Sequence, residues 1–125
     1  MLQPKRVKRP RRRIVDRAKL NAVMEAVSNY EIQESSAWDQ LDSLSSHTYV
    51  EEIEAIPEGI FETDEGEFSA IATVYVTLNY GSTKDDLSVP DSFPAQVEGH
   101  FEIKKRGQIN AIIDEFSVDT SSFYE

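Results

Sequence analysis

With 125 residues and no Cys, the chain is long enough for one domain with a buried core, and disulfides and thiolate metal sites are excluded. No apolar run approaches the roughly 18 residues of a membrane span, and the basic N-terminus lacks the apolar stretch of a signal peptide, so a cytoplasmic protein without membrane contact is expected. The net charge of −10 conceals a separation: nine of the thirteen Lys and Arg fall in the first twenty residues beside one acid, leaving four bases and twenty-two acids in residues 21–125.

The first thirteen residues read as an extended basic arm. Pro4 and Pro10 restrict its backbone, and like charges repel along it. Lys5, Arg6, Lys8, Arg9, Arg11, Arg12 and Arg13 form the cationic run, and Arg17 and Lys19 carry it onto the next element. Arg forks suit phosphate, so these nine residues are the expected contacts to nucleic acid or to an acidic protein surface.

Residues 14–125 read as an acidic α+β domain. Leu20, Val23, Met24 and Val27 recur at helical spacing and predict a helix over Ile14–Asn29. Ser36 with Asp39 resembles a capping box opening a short helix over Ser36–Ser45, with Trp38 as a lid on the core. Thr48–Ile56 reads as a first strand whose broken parity implies a bulge or an edge position. Ile60–Thr63 extends it. Glu67–Tyr80 alternates over fourteen residues, the pattern of a long strand with one buried face. Gly81–Pro94 reads as a loop, and Ala95–Lys104 as a further alternating strand. Lys105-Arg106-Gly107 is a tight turn into a last strand, Gln108–Asp119. That strand switches parity and implies two covered faces or a bulge near Ile113. One or two N-terminal helices packed on a curved antiparallel sheet of three to four strands satisfy the layer rule. Cystatin-like helix-on-sheet rolls have a similar order of elements.

Three chemistries can be tested on this pattern. Asp91, Glu102 and Lys104 resemble the PD-(D/E)xK set of metal-dependent nucleases. However, Asp91 precedes the same strand that carries the other two, about 35 Å away when extended. Glu58, Glu62, Asp64, Glu65 and Glu67 crowd one region and Asp85, Asp86 and Asp91 another, without the spacing of a calcium loop; both read as solvated acidic surface. His47 lies among serines. His100 lies on an outward strand face between Glu98 and Glu102, where acidic neighbours favour its charged form. No catalytic residue, metal ligand or cofactor follows from these spacings. The run SFPAQVEG (92–99) with INAIIDEFSVDTSSF (109–123) resembles small accessory domains at the ends of larger bacterial proteins.

The expected function is a non-enzymatic binding module, with the arm on nucleic acid or an acidic partner and the acidic body on a basic protein. Alternatives are an antitoxin- or inhibitor-like protein masking a basic site, and a small ligand-binding or enzymatic domain with a pocket between helix and sheet. The exposed edge of the first strand is a further place for a partner to add a strand.

Overall fold

A computed structural model describes residues 11–81 and 87–124. Its strands are β1 (Arg12–Arg13), β2 (His47–Ala55), β3 (Phe61–Glu62), β4 (Glu67–Tyr80), β5 (Leu87–Ile103) and β6 (Ile109–Val118). Two α-helices, α1 (Arg17–Ser28) and α2 (Ala37–Asp42), fall between β1 and β2.

β4 is the strand to which the others are joined. Its even positions, Phe68 to Leu78, are buried, as period-2 alternation requires. β5 pairs with it along its full length, from Glu67↔His100 to Tyr80↔Leu87. On its other side β3 occupies Phe68 and Ser69, and β2 occupies the stretch from Ala72 to Asn79. β6 extends the sheet beyond β5, and β1 extends it beyond β3. Every pairing is antiparallel.

The sheet therefore has six strands rather than the three or four expected. The excess is β1 and β3, two residues each: β1 falls in the stretch read as an arm, and β3 in Ile60–Thr63, read as an extension of the first strand. β5 starts at Leu87, well inside the stretch Gly81–Pro94 read as a loop, which lengthens that strand without adding one. Pro90 and Pro94 suggested that loop, yet both sit opposite Thr77 and Thr73 of β4. Pro fits a position where no partner strand needs its missing N–H, and β6 reaches only as far as Ala95.

α1 lies against β2 and β6. Its Val23 and Val27, one turn apart, join the inner residues of β4 and β5 in one buried cluster with Phe93, Leu41 and Ile60. Each such side chain stabilises by about 1.5–3 kcal/mol before entropy is subtracted. The helix begins three residues later than its pattern suggests. Asp16 caps it, accepting from the Lys19 N–H at 3.2 Å, while Ile14 donates its N–H to Ile60 and belongs to the sheet edge. The capping box expected at Ser36 is absent, for its hydroxyl makes no cap hydrogen bond.

Two bulges break the ladders. One lies in β2 between Val50 and Glu52, as its broken parity implied. The other makes Asp114 the extra residue of β6, because Glu98 faces Glu115 while its neighbour Gly99 faces Ile113. Gly99 is obligatory there: a Cβ would sit 2.0 Å from the Ile112 carbonyl oxygen and 2.6 Å from the Phe68 ring.

Candidate functional site

The core cluster fills the middle of the space between α1 and the sheet. The alternative of a helix–sheet pocket is met only at its margin, where an open hollow of about 410 Å³ lies between Ala26 and Tyr30 on one side and Ala111 and Ile113 of β6 on the other. Tyr80, packed against the core cluster, donates its hydroxyl to the Leu44 carbonyl at 3.1 Å. Another concavity lies on the outer face. A groove of about 460 Å³ opens there, lined by Arg11, Thr63, Glu67, Ser69, Glu98 and Asp114, among others.

The register explains this grouping. Glu67 of β4 faces His100 of β5, and Ser69 faces Glu98, which faces Glu115 of β6. Glu98, His100 and Glu102 alternate outward along β5, while Val97, Gly99 and Phe101 take the inward parity. Ile112 faces His100, so Asp114, two residues on, lies on the same outer face. The His100 Nδ1 lies 2.8 Å from the Asp114 carboxylate, and its Nε2 lies 3.6 Å from Glu102. A carboxylate accepts only, so Nδ1 carries a proton toward Asp114, and Nε2 lies loosely against Glu102. The hydrogen bond to Asp114 raises the His100 pKa above its ordinary value. Lost hydration opposes the rise, and the charges of Asp114 and Glu102 add to it. The ring is thus biased toward imidazolium.

Cations border the groove on the β1 side. Arg11 Nη1 donates to Ser69 Oγ at 3.0 Å. Arg12 pairs with Asp64 and, at 3.6 Å, with Glu62. Glu62 is a buried carboxylate that also accepts from Lys19 Nζ at 2.8 Å. Arg12 and Arg13 of the expected arm are thereby held on the body as a sheet strand, and Arg11 by its bond to Ser69. Lys5, Arg6, Lys8 and Arg9 lie outside the described residues. Arg13 and Arg17 are exposed and form no ion pair among the described residues. Lys19 serves the fold through Glu62.

The other sequence candidates do not converge. Asp91 faces Val76 and Glu102 faces Asn110, at opposite ends of β5. Eleven strand residues separate them by about 35 Å, so the PD-(D/E)xK reading fails on geometry. Among the described residues, no three His, Asp or Glu side chains group as a metal set. Asp85 and Asp86 lie outside the described residues. His47 packs edge-on against Tyr49 on β2, far along the sheet from His100.

The comparisons with known proteins decide the class. A family model described as a predicted pPIWI-associating nuclease matches residues 9–124, nearly the whole chain.

The chain belongs to this family of predicted pPIWI-associating nucleases. No curated protein and no solved structure matches it. Membership overturns the expectation of a non-enzymatic accessory module, because the family is one of predicted nucleases. Sequence reasoning puts Glu98, His100 and Glu102 together on the outward face of β5 and assigns them no chemistry. It does not single out Asp114, because its place beside His100 depends on Ile112 facing His100, a register that has no local signature. The tight turn at 105–107 was the available signal, since it makes 104–96 and 108–116 run side by side.

Proposed function

We propose that this domain is a nuclease whose working surface is the outer face of the sheet around His100. The observation that carries this reading is the His100–Asp114 pair at the side of an open groove, which Asp114 and Glu98 line, in a chain from a nuclease family. Hydrolysis of a phosphodiester needs a proton acceptor for the attacking water, a proton donor for the leaving oxygen and positive charge near the phosphate. Each has a candidate here. Protonated His100, beside the groove, gives its Nε2 proton to the leaving oxygen. Glu98, two residues away on the same strand face, accepts the proton of the water that attacks phosphorus. Arg11 supplies a guanidinium fork for non-bridging oxygens. Asp114 keeps the imidazole oriented and charged.

The test is cleavage of end-labelled DNA and RNA by the whole chain and by His100→Gln, with magnesium or manganese added and with chelator. Loss of about 10²–10⁴-fold in rate in the variant, with unchanged unfolding behaviour, is the expected result for a general acid. Equal cleavage by both proteins contradicts the assignment, as does a wild-type chain that cuts neither substrate under any of these conditions.

A further inference from the structure

The charge separation in the sequence leaves four basic residues outside the first twenty, and three are consecutive: Lys104, Lys105 and Arg106. They form the tip of the β5–β6 hairpin. The register places this tip at one particular end of the sheet. His100 faces Glu67, the first residue of β4, and the Phe101 N–H donates to the Gly66 carbonyl at 2.9 Å. The turn before β4 and the basic tip therefore lie side by side. β1 reaches the same end, since Arg12 faces Glu62 and Arg11 comes one step nearer the turn. Two basic segments about ninety residues apart in sequence thus stand on either side of His100.

We infer that the Lys104-Lys105-Arg106 tip is a second phosphate-backbone contact, which with Arg11 and Arg13 holds a nucleic-acid strand across His100. The inference rests on the nuclease reading and names how its substrate is held. From β1 to β6 there are four strand spacings, about 19 Å, a span that takes in several consecutive phosphates. The floor between the rims carries Glu67, Glu98, Glu102, Asp114 and Glu115 and repels a polyanion. Affinity must therefore come from the rims, while the floor supplies chemistry.

The tip is exposed and available. Lys105 and Arg106 form no ion pair among the described residues, and Lys104 has only a loose contact with Glu102 at 3.6 Å. Arg106 also sits in a left-handed conformation, φ 64°, where an L side chain is disfavoured, next to Gly107 at φ 76°. Glycine would suit both positions, so the arginine is not there for the turn. Contacts of this type go to phosphate rather than base edges and are insensitive to sequence.

The test is binding of labelled oligonucleotides, as single-stranded DNA, duplex DNA and RNA of one sequence, by fluorescence anisotropy at two salt concentrations. All proteins carry His100→Gln so that the probe survives. Replacing Lys104, Lys105 and Arg106 together by Gln is expected to weaken binding at least tenfold at low salt and to reduce the log–log salt slope by about two to three, near 0.9 for each lost contact. Arg106→Gly alone is expected to keep or improve fold stability while lowering that slope by about one. Wild-type affinity and slope in the triple variant overturn the inference for whichever probes bind. A poly-glutamate peptide that competes as well as DNA of equal charge also overturns it, by assigning the tip to an acidic protein. Failure of the nuclease reading is seen separately, as absence of cleavage with native His100 while the tip still governs binding.

Discussion

Asp114 is the extra residue of the β6 bulge, and its carboxylate lies 2.8 Å from Nδ1 of His100 on the neighbouring strand. His100 faces Ile112, so alternation along β6 puts Asp114 on the same outer face as the imidazole. The bulge interrupts the pairing of β5 with β6 and adds Glu115 to that face, which returns Phe116 and Val118 to the core. Gly99 makes room for this irregularity on β5.

Gly99→Ala is therefore expected to be among the most damaging single substitutions. The added methyl meets the Ile112 backbone rather than a yielding side chain. A loss of about 3 kcal/mol, at the upper end for overpacking, is expected in urea unfolding. Loss of soluble protein would agree with the same cause, and wild-type stability would not.

Phe93 is fully buried beneath the sheet, among the largest side chains of the core. Phe93→Ala is expected to cost about 3–5 kcal/mol. Ile103→Ala, at a residue 74 % exposed, is the contrasting control, and its expected change is within about 0.5 kcal/mol. Chemical denaturation of the two variants side by side checks both.

Lys19 joins α1 to the sheet edge by its ion pair with the buried Glu62 carboxylate. Lys19→Met keeps the stem over the Phe101 ring but removes the charge. Loss of a charge-assisted bond to a buried carboxylate is expected to cost about 1.5–3 kcal/mol. Because Arg12 also approaches Glu62, amide exchange in β1 should rise in this variant more than exchange in β5. Uniform acceleration would contradict that local account.

His100 and Asp119 give opposite pH dependences. The Asp114 hydrogen bond raises the folded-state pKa of His100 above its unfolded value near 6.5. Its contribution to stability is therefore complete below about pH 6.5 and is lost as pH rises through the raised folded value. Bonds from Ser121 lower the pKa of Asp119, so its contribution is present above the unfolded carboxylate value and fades as pH falls through the lowered one. Denaturation midpoints measured from mildly acidic to mildly alkaline pH should lose the alkaline decline in His100→Gln and keep it in Asp119→Asn.

Much of this fold can be read before any coordinates. Strict alternation of Phe68 through Leu78 fixes β4 at Glu67–Tyr80, the range that the sequence pattern predicts. Elements with weak periodicity are less legible. β1 and β3 are held by pairing and by the Arg12, Lys19 and Glu62 ion pairs, none of which has a local signature. The prolines of β5 look like loop markers until the sheet shows that half the strand has a free edge. The acidic setting of His100 is visible along β5 itself, through Glu98 and Glu102. Its partner Asp114 is not, because the pairing of Ile112 with His100 that brings it there is a long-range register.

The pH dependence of single-turnover cleavage by wild type and Asp114→Asn tests the central claim most directly. If His100 is the proton donor and Asp114 holds it charged, the variant is slower and its alkaline limb moves to lower pH. Superimposable rate profiles for the two proteins would contradict a working His100–Asp114 pair.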